Sequence, residues 1–246
     1  MKPQTITLAG AGLVGSLLAV YLARRGYDVL VYEKRPDMRR TAISAGRSIN
    51  LALANRGIRP LQELGLMDEI NKLLIPMKGR MLHDENGQLT LVPYGHRPHE
   101  VIYSVGRGAL NCMLMDAAEA TGRVSIRFEQ AVEGVDLNSR RLSIRDQRTG
   151  DAREESFELL IGADGAGSPV RHAIDAHHGE PSTEEKLFHS YKELHIAPGP
   201  GGSFRMEKHA LHIWPRGDFM MIGLPNPDGS FTITLFAPDE GPVSFA

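Results

Sequence analysis

Thr5-Ile6-Thr7-Leu8-Ala9-Gly10-Ala11-Gly12-Leu13-Val14-Gly15 is the stretch that decides the fold. Its apolar start reads as a strand that three glycines turn into a helix. That helix carries Leu13, Leu17, Val20, Tyr21 and Ala23, apolar around much of its circumference, as suits a helix wedged against a sheet. Gly26 follows where a left-handed cap is needed. The run Val29-Leu30-Val31-Tyr32 then reads as a strand that a parallel sheet buries on both faces, and Glu33 ends it. The glycines divide the work among them. Gly10 makes the tight turn, Gly12 lets the backbone approach a pyrophosphate, and Gly15 permits close helix–strand packing. The helix start, with Leu13 and Val14, offers unpaired N–H groups and a partial positive charge to phosphates. Glu33 can accept hydrogen bonds from the adenosine ribose hydroxyls. Strand, turn, helix, second strand and acid in this order predict a dinucleotide site. The carboxylate at 33 disfavours the 2′-phosphate of NADP there, leaving NAD or FAD. Lys34 and Arg35 open a basic stretch that reads either as a solvated loop or as cofactor contacts.

Composition excludes other classes. The 246 residues suffice for a large core and part of a second domain. With 28 basic against 30 acidic side chains there is no field to gather nucleic acid or an anionic membrane surface. One cysteine, Cys112, rules out an intramolecular disulfide framework and a cysteine-based zinc site. The N-terminus runs straight into the first strand without a cleavage-site pattern. The longest apolar segment, Leu13 to Ala23, is broken by Arg24 and Arg25 and falls short of the roughly 20 residues of a bilayer span. A cytoplasmic protein with no membrane segment is expected. The chain stops at Phe245-Ala246, soon after a strand-like run ending at Phe236, so a C-terminally truncated chain is expected as well.

Further along, residues 50 to 74 read as helical, on Leu51, Leu53, Leu61, Leu64, Leu66, Ile70 and Leu73. Short strands with turns at Glu85-Asn86-Gly87 and Gly95 to Pro98 predict an antiparallel insertion between Met81 and Tyr103. A helix over 108–120 and strands at 124–128, 132–137 and 142–144 follow. Leu159-Leu160-Ile161 reads as a buried strand leading into Gly162-Ala163-Asp164-Gly165-Ala166-Gly167. Beyond His177 alternating runs at 191–196, 211–214, 219–224 and 231–236 predict an antiparallel sheet.

The second glycine motif precedes Ser168-Pro169-Val170-Arg171, a helix start with Ser168 as N-cap and Pro169 at the first position. Asp164 can organise this loop beside a flavin, and Arg171 can pair with it. Together the two motifs resemble the group A flavoprotein monooxygenases of the para-hydroxybenzoate hydroxylase fold. Gly46-Arg47-Ser48-Ile49-Asn50-Leu51-Ala52-Leu53, Ile75-Pro76-Met77-Lys78-Gly79-Arg80-Met81, Pro93-Tyr94-Gly95, Leu211-His212-Ile213-Trp214-Pro215-Arg216 and Phe219 to Asn226 look like the kynurenine 3-monooxygenase family, over essentially the whole chain.

The resemblance implies an α/β fold: a Rossmann-like FAD-binding domain (1–75 and 101–182) with an interleaved, mostly antiparallel substrate domain (76–100 and 183–246), incomplete at its C-terminus. It implies bound FAD, NADPH as co-substrate, and O2-dependent 3-hydroxylation of L-kynurenine to 3-hydroxykynurenine in tryptophan catabolism. Arg80 corresponds to the arginine that binds the substrate carboxylate, and Tyr94 to a tyrosine that also binds substrate. Gly10, Gly12, Leu13, Val14, Gly15, Glu33, Lys34, Arg35, Ala52, Arg107 and Asp164 correspond to cofactor contacts. Gly106 departs from the usual polar neighbour of Arg107, and Pro169 leaves only backbone contacts beside the Asp-Gly motif. The family's later Gly-Asp-Ala-Ala-His segment is absent from residues 1–246.

Flavin chemistry needs no protein nucleophile, so no catalytic triad and no metal is expected; there is no GxSxG, and His99-Glu100 lacks the second histidine of a zincin. Trp214 and Met220-Met221 read as sheet core, His83 and His212 as hydrogen-bonded structural histidines, His177-His178 as an exposed loop, and Cys112 as a buried, inert thiol. Two other readings stay open: a non-catalytic dinucleotide-binding fragment of such an enzyme, and a NAD-linked reductase.

Overall fold

The computed structural model describes residues 4–40, 50–179 and 181–246. The family-like stretch Gly46 to Ile49 lies outside them. In chain order β1 (Thr5–Ala9), α1 (Leu13–Arg24) and β2 (Asp28–Tyr32) come first. Then follow β3 (Asn50–Leu53), α2 (Asn55–Glu63), α3 (Met67–Ile70), β4 (Ile75–Met77), β5 (Gly79–His83), β6 (Leu89–Pro93) and β7 (Ile102–Gly106). The next are α4 (Arg107–Glu119), β8 (Val124–Arg127), β9 (Gln130–Asp136), β10 (Arg141–Asp146), β11 (Ala152–Ser156), β12 (Leu159–Gly162) and α5 (Pro169–His178). β13 (His189–Ile196), β14 (Ala210–Arg216), β15 (Phe219–Pro225) and β16 (Phe231–Pro238) close the series.

The chain divides into two compact units, Met1–Ile43 with Leu110–Glu184, and Ser44–Ala109 with Glu185–Ala246. The first holds an all-parallel sheet in the order β12-β1-β2-β8 and an antiparallel β11-β10-β9 sheet. The second holds a six-stranded sheet, β13-β16-β15-β14-β5-β6, antiparallel except at β14–β5, and a three-stranded antiparallel β3-β7-β4 sheet. The α/β class is as expected: a parallel sheet beside antiparallel ones. This division cuts the chain at other points than the expected domains, with residues 50–75 and 101–109 in the second unit. The reason is pairing, because β3 and β4 both hydrogen-bond to β7.

Several local readings are corrected. Asn50–Leu53 is a strand, not the start of a helix, since it pairs with Tyr103–Gly106. The helical region after it breaks at Gly65, with φ +59°. The polar β11 carries no apolar alternation and escapes sequence reading. Leu159 is 43% exposed because β12 is an outer strand of its sheet rather than a buried one. His177 and His178 end α5 rather than lying in a loop, and Gly179 caps that helix in the left-handed region. α1 is one-sided: it buries Gly15, Ser16, Ala19, Val20 and Ala23, small residues that let it approach the sheet, while Val14 stays exposed. All five residues of β6, an outermost strand, are exposed, Leu89, Leu91 and Val92 among them. No helix among the described residues is long and apolar enough to cross a membrane.

Candidate functional site

The two glycine motifs meet where β1 and β12 run side by side. Gly10 has φ +95°, and a Cβ there would sit 2.5 Å from the Ala163 carbonyl oxygen. A Cβ on Gly15 would collide with the Gly10 carbonyl. Around Gly12 a Cβ would meet nothing within 4 Å. Gly10 and Gly15 are therefore demanded by packing, whereas Gly12 keeps an approach to the backbone clear. Gly12 is also the N-cap of α1 and supplies no side-chain cap. The first amides of this helix, at Leu13 and Val14, thus have no side-chain acceptor from the cap, which suits an anion.

Ala11 is fixed on both sides. Its N–H donates to Glu33 Oε2 at 2.8 Å, and its carbonyl accepts from Ser16 Oγ and Asn111 Nδ2, each at 3.0 Å. Glu33, 5% exposed, also accepts from the Arg35 backbone N–H at 2.9 Å and from Arg35 Nε at 2.8 Å. Burial by itself pushes this carboxyl up, but the Arg35 and Ala11 hydrogen bonds outweigh it and hold it below the usual carboxylate range. Arg35 is thus the ion-pair partner of Glu33, and Lys34 is exposed. An open cleft of about 200 Å³ adjoins, lined by Ala11, Glu33, Arg35, Met38, Asn111 and Phe128 among others. Asn111 escapes sequence reading, although it is a polar residue on an otherwise apolar helix face. Its Oδ1 is buried without a hydrogen-bond partner.

Asp164 organises its own loop. Its Oδ1 accepts from Ser168 Oγ at 2.6 Å, and Ser168 Oγ accepts from the Arg171 N–H at 3.0 Å, capping α5. Arg171 does not pair with Asp164, contrary to expectation. The Asp164 oxygens already serve Ser168 and the Val170 N–H, and Arg171 Nη2 goes to Glu184 at 2.8 Å.

In the second unit Arg80 on β5 and Tyr94 just past β6 are brought together, the guanidinium carbon 5.0 Å from the ring centroid. Gly79 permits this close strand pair, since a Cβ there would lie 2.5 Å from the Val92 carbonyl oxygen. Arg80 is exposed, while the Tyr94 hydroxyl is buried and its proton has no acceptor, since Arg80 beside it can only donate. Burial pushes the Tyr94 phenol above its usual value of 10, against the opposing charge and hydrogen bond of Arg80. Ala52 lies on the β3–β7 pair opposite Ser104, and Arg107 opens α4 directly after Gly106, the last residue of that pair, which faces Asn50.

His83 and His212 hydrogen-bond to each other at 2.8 Å, which fits their reading as structural. Trp214 is half-buried and stacked on His83, and Met220 is 37% exposed rather than core. Cys112 is half-buried, not fully buried, and burial raises its thiol. Among the described residues no group of three or more His, Cys, Asp or Glu could hold a metal ion.

A family model described as FAD binding domain matches residues 4–207, and the chain belongs to that family. Kynurenine 3-monooxygenase of Myxococcus xanthus is 54% identical over 245 residues, covering 100% of this chain and 53% of the relative. The enzyme of the same name from Xanthomonas axonopodis pv. citri is 47% identical over 246 residues, covering 100% and 54%. The chain thus spans about half the length of the curated relatives it matches. Among solved structures, p-nitrophenol 4-monooxygenase from Pseudomonas putida superposes with a TM-score of 0.76 at 16% identity, over 97% of this chain and 60% of that one. A 2-methyl-3-hydroxypyridine-5-carboxylic acid oxygenase does so with 0.75 at 22%, over 98% and 61%. These two likenesses bear on the fold.

Proposed function

We propose that this chain is the FAD- and substrate-binding part of a kynurenine 3-monooxygenase. The observation that carries this reading is the Arg80–Tyr94 pair: a guanidinium over the ring of a tyrosine whose buried hydroxyl lacks an acceptor. A planar guanidinium holds an amino-acid carboxylate through two parallel hydrogen bonds. The Tyr94 O–H, whose proton has no protein acceptor, then donates to the same carboxylate. The names and identities of the relatives support kynurenine as the amino acid.

FAD fits the first unit. Gly12 keeps the pyrophosphate path open, Leu13 and Val14 present their amides, and Glu33 faces the ribose, with Lys34 and Arg35 beside it. Asp164 holds the neighbouring loop in shape. Ala52 and Arg107 are assigned to FAD by family likeness. When bound, FAD reduced by NADPH supplies the oxygen chemistry, by which L-kynurenine, O2, NADPH and a proton give 3-hydroxykynurenine, NADP+ and water. The protein's part is to hold and orient the substrate and exclude water. We place this reaction in the cytoplasm, in tryptophan catabolism.

The test is an absorbance spectrum of the purified chain with FAD, roughly near 450 nm for bound oxidised flavin, followed by NADPH oxidation with and without L-kynurenine. Kynurenine-dependent NADPH oxidation that yields 3-hydroxykynurenine supports the reading. Flavin binding without turnover assigns the chain to a dinucleotide-binding module alone, and the absence of bound flavin overturns both.

A further inference from the structure

The β5–β6 hairpin that carries Arg80 and Tyr94 joins the rest of its sheet through one ladder, the parallel β5–β14 pair. Parallel pairing is slightly weaker per residue than antiparallel pairing, and here polar contacts brace it along its length. At its start the Lys78 N–H donates to the His209 carbonyl at 2.7 Å, and His209 Nδ1 lies 2.9 Å from the Pro76 carbonyl. At its far end Arg216 donates to the His83 and Asp84 carbonyls at 2.9 and 3.0 Å. Between them His83 Nε2 lies 2.8 Å from His212 Nδ1.

The protons of this pair follow from its surroundings. His212 is 1% exposed, and its Nε2 lies 2.8 Å from the Glu207 carbonyl, which only accepts. His212 Nε2 therefore carries the proton, its Nδ1 is the acceptor in the neutral ring, and His83 Nε2 is the donor. A proton added at His83 Nδ1 leaves that donor in place. Once His83 is protonated, a second proton at His212 Nδ1 sets two N–H groups against each other and breaks the bridge. Residues alternate along β5, so His83 and Met81 lie on the face opposite Arg80.

We propose that the His83–His212 bridge is a positioning device for Arg80, holding β5 in register on β14 so that the carboxylate site keeps its shape, and that doubly protonating the pair releases it. This rests on the reading of Arg80 and Tyr94 as the carboxylate site. The charged groups facing the pair are Arg216 at the end of β14 and Glu207 before it; Trp214 stacks on His83, and Phe231 of β16 packs edge-on to His212. The Asp84 carboxylate is engaged by the N–H groups of Asn86 and Gln88. Burial holds both imidazoles below 6.5, with His212 and Arg216 adding to the effect at His83, and with Glu207 opposing it at His212. The bridge is thus intact at neutral pH and is lost only in acid.

The chain has one tryptophan, and it stacks on His83, so its emission reports this pair without any ligand. The experiment titrates L-kynurenine into the FAD-loaded chain from about pH 7.5 to about pH 5, following Trp214 emission in parallel, for the parent, His83→Gln, His83→Leu and Arg80→Met. A glutamine at 83 donates through its amide nitrogen or, rotated, accepts through its oxygen, so it bridges either form of His212. The parent should lose about tenfold in affinity as Trp214 emission is quenched, the worth of roughly one hydrogen bond. His83→Gln should bind as the parent does at neutral pH and keep its affinity in acid, and His83→Leu should bind weakly throughout. A parent affinity that is flat across the range, or an acid loss that persists in His83→Gln, overturns the proposal. Unchanged affinity in Arg80→Met overturns instead the carboxylate site on which it rests.

Discussion

The backbone N–H of Ala11 donates to Glu33 Oε2 at 2.8 Å, tying the middle of the glycine turn to the acid that ends β2. The bond spans 22 residues of sequence and makes the acid, our proposed ribose acceptor, a structural member of the turn. Replacing Glu33 by Ala leaves a buried N–H without its acceptor. Urea unfolding at neutral pH should show a loss of about 1–3 kcal/mol.

The same contact sets an acid dependence. The native Glu33 carboxyl lies below its ordinary value of 4.5, so the folded chain binds fewer protons than the unfolded one in that region. Its contribution is complete above 4.5 and is lost as pH falls through the depressed native value. Unfolding followed across this window should show a shallower acid loss in Glu33→Gln than in the parent.

Gly12 and Gly15 should separate binding from folding. Gly15→Ala forces a Cβ into the Gly10 carbonyl, and backbone has to move on both sides. Gly12→Ala meets open space. Circular dichroism should find Gly12→Ala folded with FAD affinity reduced tenfold or more, a loss of about 1.4 kcal/mol. Gly15→Ala should have lost several degrees of thermal stability.

At the proposed carboxylate site Tyr94→Phe removes a buried hydroxyl whose proton has no acceptor. Stability should hold or rise by up to about 1 kcal/mol, while L-kynurenine binds about tenfold more weakly. A calorimetric titration set beside a thermal melt reads both.

Ser168→Ala removes the cap of α5 and the donor to Asp164 in one step. A loss of about 0.5–2 kcal/mol is expected in urea, with FAD affinity falling as the Asp164 loop loosens.

The glycine turn, Gly26, Glu33 and the Ser168-Pro169 helix start are legible in the sequence because each belongs to a local pattern with one physical use. Asn50–Leu53 is not, because the partner that makes it a strand lies at Tyr103–Gly106, while its leucines blend with Leu61 and Leu64 of the next helix. That one strand moves the boundary between the units. Of the candidate site, Arg80 and Tyr94 rest on family likeness, and their adjacency follows from the β5–β6 hairpin. The roles of Asn111 and of the His83–His212 pair depend on contacts 100 and 129 residues apart, which no periodicity encodes.

β6 closes one side of its sheet with Leu89, Leu91 and Val92 all open to solvent. Among the described residues no strand pairs with its outer side, and a margin of this kind is a template for chain-to-chain zippering, so concentrated stocks of this chain will tend to cloud or gel from this border inward. For anyone producing the protein, a lysine in place of Leu91 is the first remedy, since it guards the margin while leaving Arg80, Tyr94 and the Leu89 position opposite His83 untouched.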